Sequence, residues 1–307
     1  MPLVYEIEHL TKRYPKQPHP ANDDVSLTVE QGEFFGLLGD NGAGKTTLVR
    51  QMANLLKPTS GIVRLFGKPI DDQQDYAARQ IGYMPQSSLA LNNLTVSEAL
   101  YFTAHLRGRS RADSRAIRDT LIGQLSLDSI RSKPILNLSG GQRRLVLLGA
   151  TLAARPPVLI LDEPTNDLAP QVRVQVWDLL RQVNQQDATT IILVTHNVLE
   201  AEKVIQRVGI MKAGKLNVVG RPGILKKQLG DRLRLEVIFQ PDVPPVLPAS
   251  AGVPREVAPG HWLLLIDPHE AAVILAALQA APGLEDFRLS TPTLEDLYLA
   301  MVSQNLS

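Results

Sequence analysis

The stretch Phe34-Phe35-Gly36-Leu37-Leu38-Gly39-Asp40-Asn41-Gly42-Ala43-Gly44-Lys45-Thr46-Thr47 decides the fold. Its first five residues form an unbroken apolar run, the pattern of a parallel strand covered on both faces. Gly39, four residues and then Gly44-Lys45-Thr46 is the spacing of a phosphate-binding loop, in the required context after a strand and before a helix. The glycines of such a loop let backbone N–H groups turn inward and reach phosphate oxygens with no Cβ in the way. Gly39, Asn41, Gly42, Ala43, Gly44 and Thr47 are therefore candidate cradle residues for the phosphates of a nucleotide. Lys45 is the candidate to hold the β- and γ-phosphates, and Thr46 a Mg²⁺ ion. Leu48, Met52, Leu55 and Leu56 share a face, so a helix is expected from the loop to Pro58, its positive N-terminus aimed at the anion.

Two further apolar runs match the first. Val158-Leu159-Ile160-Leu161 ends in Asp162-Glu163, which delivers carboxylates at a strand's C-terminal edge, where open parallel sheets bind ligands. Asp162 is the candidate to hold Mg²⁺ through water, and Glu163, one residue on, to polarise the attacking water. Ile191-Ile192-Leu193-Val194 is the third run. Helical patterns lie between these strands, which argues for an α/β core. Val4 to Glu8 and Val25 to Glu30 alternate like half-exposed strands. Thr95 and Glu98 form a capping box opening a helix at about Val96. From Thr95 to Ile130 the pattern is mostly helical; it carries Arg107, Arg109, Arg111, Arg115 and Arg118, read as a solvated helix surface.

The bulk numbers narrow the class. The chain has 307 residues, enough for one large domain and a smaller one. It carries 32 Lys and Arg against 31 Asp and Glu, so the basic footprint of a nucleic-acid partner is missing. Cysteine is absent, which excludes disulfides and thiolate metal sites. Met1 to Glu6 has neither a basic nor a long apolar segment, so no secretory signal is expected. No apolar run approaches the ~20 residues of a spanning helix, so any membrane role needs a partner's spans. From about Asp231 a smaller α+β unit is expected, with no obvious catalytic cluster. It has strands over Arg232 to Phe239, His261 to Ile266 and Phe287 to Ser290, a Pro-rich connector from Pro241 to Pro254, and helices over Glu270 to Ala280 and Thr293 to Met301.

Leu138-Ser139-Gly140-Gly141-Gln142 lies between the phosphate loop and Asp162-Glu163. With that pentapeptide in that order, residues 3 to about 224 resemble the ATP-binding cassette of ABC transporters. The resemblance implies a P-loop NTPase fold: a RecA-like core, an antiparallel β subdomain and a helical subdomain at about residues 90–150, together spanning 1–225. The small C-terminal α+β domain would occupy 231–307. It further implies that the signature loop meets the γ-phosphate held by another subunit, Ser139 through its hydroxyl, Gly140 and Gly141 through backbone N–H groups, with Gln142 beside them. Tyr14 matches the aromatic that stacks on adenine. Gln86 matches the glutamine that reaches Mg²⁺ and the attacking water, and His196 the histidine that contacts the γ-phosphate. The implied partners are a second ATP-binding subunit, either another copy of this chain (favoured, since both phosphate-facing surfaces are intact) or a close relative, and an integral-membrane permease, on the cytoplasmic face of the cell membrane. The ending Thr291 to Tyr298 looks like the tail of bacterial exporter subunits for drugs, antibiotics, lipids or polysaccharides. The competing reading is a cassette ATPase acting in the cytosol without a permease; translation-type relatives usually join two cassettes, and this chain has one. One position departs from the family: Leu168-Ala169-Pro170 stands where Leu-Asp-Pro is usual, so the helix starting at Pro170 loses an N-cap carboxylate.

Overall fold

The computed structural model describes residues 2–71 and 73–303, with side chains described to residue 300. It divides into two compact units, Met1–Gly220 and Arg221–Ser307.

In the first unit the strands are β1 (Leu3–Lys12), β2 (Asn22–Glu30), β3 (Phe34–Leu38), β4 (Ser60–Leu65), β5 (Lys68–Pro69), β6 (Ile81–Met84), β7 (Val158–Asp162), β8 (Thr190–Val194), β9 (Arg207–Lys212) and β10 (Lys215–Gly220). Its helices are α1 (Lys45–Met52), α2 (Gln74–Gln80), α3 (Val96–Leu106), α4 (Arg111–Gln124), α5 (Gly140–Ala153), α6 (Pro170–Asp187) and α7 (Val198–Ala201). A six-stranded sheet has the order β10-β9-β3-β8-β7-β6. Every pair in it is parallel except the β9–β10 hairpin. The unbroken apolar runs β3, β7 and β8 are buried at every residue, because helices cover both faces of a parallel sheet.

A second sheet, ordered β2-β1-β4-β5, is antiparallel, and its strands alternate between buried and exposed residues. One hydrophobic cluster joins the two sheets through α1. It holds Tyr5, Ile7 and Leu10 of β1, Leu48, Val49 and Met52 of α1, and Leu37, Ile160, Ile192 and Val194 of the core strands. The Tyr5 hydroxyl donates to the Met52 carbonyl at 3.0 Å, satisfying the one polar group this ring buries.

Helix α1 is shorter than its apolar spacing suggests. It ends at Met52, Asn54 adopts the left-handed conformation (φ 56°), and the Leu55 amide donates back to the Arg50 carbonyl. This is an asparagine helix stop, and it leaves Leu55 56% exposed. The capping box at Thr95 and Glu98 forms as its spacing predicts. Arg107 and Arg109 are exposed, as the solvated reading expects, and each also makes a hydrogen bond to backbone. Arg107 Nη1 donates to the Ile81 carbonyl at 2.8 Å, and Arg109 Nη2 to the Ala154 carbonyl at 3.0 Å. They pin α3 to backbone at the start of β6 and the end of α5.

The second unit contains α8 (Pro222–Lys226), β11 (Leu233–Phe239), β12 (Arg255–Ala258), β13 (His261–Ile266), α9 (Ala271–Gln279), β14 (Leu284–Ser290) and α10 (Leu294–Ser303). Its sheet is antiparallel, ordered β12-β13-β11-β14. Leu235, Val237 and Phe239 pack with Leu264, Ile266 and the α9 residues Ile274 and Leu278. Strand β12 is exposed at every residue, so no apolar alternation betrays it in the sequence. Leu294 and Leu297 of α10 are buried; the Met301 side chain lies outside the described residues. Asp296 Oδ2 accepts from the Thr293 amide, and Asp296 Oδ1 from Arg234 Nη1 at 2.8 Å. The aspartate is fully buried and the arginine nearly so. Removing one partner of such a pair strands the other charge. Asp296→Ala is thus expected to destabilise this unit by about 3 kcal/mol. Hydrogen exchange would register it as lost amide protection in β11 and β13, with β3, β7 and β8 unchanged.

Candidate active site

Register across the core sheet brings the chemistry together. Leu37 of β3 pairs with Val194 of β8, and Val194 pairs with Asp162 of β7. The C-terminal ends of these parallel strands form one edge. The phosphate loop leaves β3 there, Gln86 follows β6, Asp162 and Glu163 end β7, and Thr195-His196 follows β8. Residues far apart in sequence thus meet with no loop needing to reach.

A cleft of about 1030 Å³ opens at this edge. Tyr14, Asn41, Gly42, Gly44, Lys45, Thr46, Thr47, Gln86, Asp162 and Glu163 line it. Gly39 and Ala43 belong to the same loop and stand behind this lining. Gly44 has φ 101°, and a Cβ there would strike the Ala21 carbonyl, so the loop requires glycine. Lys45 is buried; its Nζ donates to the carbonyls of Gly39 at 2.6 Å and Asp40 at 2.9 Å. Burial pulls the ammonium pKa down, while Glu163, Asp162 and Asp40 oppose that. Burial likewise pushes the Asp162 carboxyl pKa up, against the hydrogen bond from Thr46.

Thr46 Oγ1 donates to Asp162 Oδ2 at 3.0 Å. A hydroxyl and a carboxylate oxygen side by side on the phosphate loop suit a hard cation such as Mg²⁺, which takes few protein ligands and completes its shell with phosphate and water. Among the described residues no group of three or more His, Cys, Asp or Glu could hold a metal.

Glu163 is buried and has a left-handed backbone, φ 53°. Its two oxygens are held separately. Oε1 accepts from the His196 amide at 3.0 Å and lies 2.7 Å from His196 Nδ1. Oε2 accepts from Thr195 Oγ1 at 3.0 Å. His196 lies outside the cleft lining but in direct contact with the carboxylate that lines it.

The signature residues stand apart. None of Ser139, Gly140, Gly141 and Gln142 lines the cleft, and Ser139 and Gly140 are exposed to solvent. Ser139 is the N-cap of α5, its oxygen accepting from the Gln142 amide, while Gln142 Oε1 accepts from the Ser139 amide. This capping box satisfies the Ser139 and Gln142 amides and leaves the Ser139 hydroxyl proton and the Gly140 and Gly141 amides outside it. The two glycines differ: a Cβ at Gly140 meets open space, whereas one at Gly141 would lie 2.9 Å from the Asp167 carbonyl. Gly141 thus lets the signature helix pack against the loop that follows Glu163.

Sequence reading missed two residues here. Arg144 is buried and donates from Nη1 to the Gln86 carbonyl at 2.8 Å, tying the signature helix to the Gln86 loop. Thr195 is the other. The only hint in the sequence is position: Arg144 falls two residues after Gln142, and Thr195 directly after β8.

Fold and site together define a P-loop ATPase cassette. The model of the ABC transporter family matches residues 22–166. Over 289 residues the chain is 33% identical to the daunorubicin/doxorubicin resistance ATP-binding protein DrrA of Streptomyces peucetius, covering 92% of this chain and 87% of that protein. It is also 33% identical to ATP-binding cassette sub-family A member 2 of Homo sapiens, over 84% of this chain but only 11% of that protein. The chain thus spans about a tenth of the length of that relative. Among solved structures it is similar to the cassette MJ0796 in a dimeric post-hydrolysis state bound to ADP and Pi, with a TM-score of 0.66 and 25% identity, covering 71% of this chain and 98% of that one. The chain belongs to the ABC transporter family, as one of its ATP-binding cassettes.

Ala169 occupies the N-cap of α6 with no side-chain cap, as the sequence implies. Ala169→Asp is expected to stabilise the protein by about 0.5–2 kcal/mol without slowing ATP turnover. Thermal melting checks this, and an unchanged or lower midpoint would contradict it.

Proposed function

We propose that this chain binds and hydrolyses ATP as one of two identical subunits, and that their closure drives export through an integral-membrane permease. The observation that carries this reading is the split site. Lys45, Thr46, Gln86, Asp162 and Glu163 line one cleft, while the capped helix start at Ser139 is exposed and faces elsewhere. A helix N-terminus with outward N–H groups is an anion site in need of an anion. A second copy's γ-phosphate supplies it, and two such contacts close a symmetric pair, the geometry that two-fold symmetry favours.

In this reading Tyr14 stacks on the adenine. The loop from Gly39 to Thr47 wraps the phosphates, with Lys45 countering the charge of the β- and γ-phosphates. Thr46 and Asp162 hold Mg²⁺, with Gln86 reaching it from β6; the ion would offset charge that spreads over the phosphate oxygens in the transition state. Glu163 polarises the attacking water, and His196 contacts the γ-phosphate beside it. Loss of the γ-phosphate removes the anion joining the subunits, so the pair opens.

Among the described residues no helix is long and apolar enough to cross a membrane. The spans, and with them the choice of cargo, belong to the permease, with this subunit on the cytoplasmic face. Similarity to the Streptomyces peucetius relative, a drug-resistance ATP-binding protein covered over 87% of its length, favours export.

Glu163→Gln is expected to bind ATP with near-normal affinity, to lose about 10²–10⁴-fold in turnover, and to accumulate as a nucleotide-bound dimer. Phosphate release and light scattering read the two effects. Near-normal turnover would defeat the assignment of Glu163.

A further inference from the structure

Glu163 needs more than a position at a strand end; a base must present a fixed oxygen to the water it activates. Its carboxylate hangs on a residue whose backbone is left-handed, an arrangement that persists only where surroundings enforce it. Enforcement comes from one short segment after β8. His196 contacts Oε1, but its side chain is 59% exposed and free to rearrange. Thr195 contacts Oε2 and is 1% exposed, with no room to move.

The Thr195 hydroxyl has one proton to give. Its oxygen already accepts from the Asn197 amide at 3.0 Å, which orients it from the far side. Its proton therefore goes to Glu163 Oε2, at 3.0 Å. We infer that Thr195 is a positioning residue for hydrolysis, fixing the plane of the Glu163 carboxylate so that its oxygen meets the attacking water when His196 turns to the γ-phosphate. Three holds on the two oxygens permit this division: the imidazole releases Oε1, while the His196 amide stays on Oε1 and the Thr195 hydroxyl on Oε2. The inference rests on the assignment of Glu163 as the water-polarising group.

Thr195→Val keeps the shape of the side chain and removes its donor. Phosphate release at saturating ATP is expected to fall about 10- to 100-fold. Affinity for a fluorescent ATP analogue should stay within about twofold, because Thr195 is absent from the cleft lining. Thr195→Ser, which restores the hydroxyl, should recover turnover to within about threefold of the unaltered chain. Thr195→Val added to Glu163→Gln should cost nothing further, since residues acting as a unit are not additive. If Thr195→Val does not fold, Thr195→Ala compared with Thr195→Ser makes the same test. Wild-type turnover in the Val variant, a Ser variant as slow as Val, or a further tenfold loss in the double variant would each overturn the inference. If Glu163→Gln itself hydrolyses normally, the assignment of the base fails and Thr195 falls with it. An inactive Glu163→Gln beside a normal Thr195→Val would sink the positioning role alone.

Discussion

The structure depends on parallel register in the core sheet. Leu37, Val194 and Asp162 stand side by side on β3, β8 and β7. A parallel sheet sends all its C-terminal ends to one edge, and each crossover returns through a helix on a face. The phosphate loop, the carboxylates and the Thr195-His196 segment therefore converge although well over a hundred residues separate the first from the others. A slip of one residue in β7 would turn Asp162 to the other face and remove it from Thr46.

The same economy governs polar groups. Nearly every charged side chain at the site is held by a named partner: Lys45 by loop carbonyls, Asp162 by Thr46, Glu163 by Thr195 and His196, and Arg144 by the Gln86 backbone. Buried ionic groups without such partners would cost several kcal/mol each. The exception is the signature helix start, whose outward groups meet solvent. In the proposed pair, the helix start left open on one molecule meets the phosphate held in the cleft of the other. The arginine tethers from Arg107 and Arg144 give the helical region two points of attachment to the β6 strand and the loop after it. The Gln86 backbone is thereby joined to the signature helix through one hydrogen bond.

Much of this was legible in the sequence because the signals are local. An unbroken apolar run names a central strand, and β3, β7 and β8 lie where such runs occur. The capping box at Thr95 needs only two residues three apart. What escaped reading depends on distant partners or on backbone conformation. Thr195 acts on a carboxylate 32 residues away, and a lone threonine at a strand end carries no mark of that. Arg144 looks like any helical arginine until the Gln86 carbonyl stands beside it. Helix α1 stops at Asn54 because asparagine tolerates the left-handed region, which overrides an apolar spacing that continues to Leu56. Strand β12 exists because β13 offers it an edge, not because of its own residues.

The central claim is that the phosphate loop of one molecule and the signature helix of another share a nucleotide. The chain has no cysteine, so introduced ones report alone. Asn41 and Ser139 are both exposed in the single chain. Protein carrying Asn41→Cys, mixed with protein carrying Ser139→Cys and mildly oxidised, should yield a crosslinked pair when Mg-ATP is present and very little without it. Crosslinking that ignores nucleotide, or none at all while both variants still bind ATP, would contradict the account.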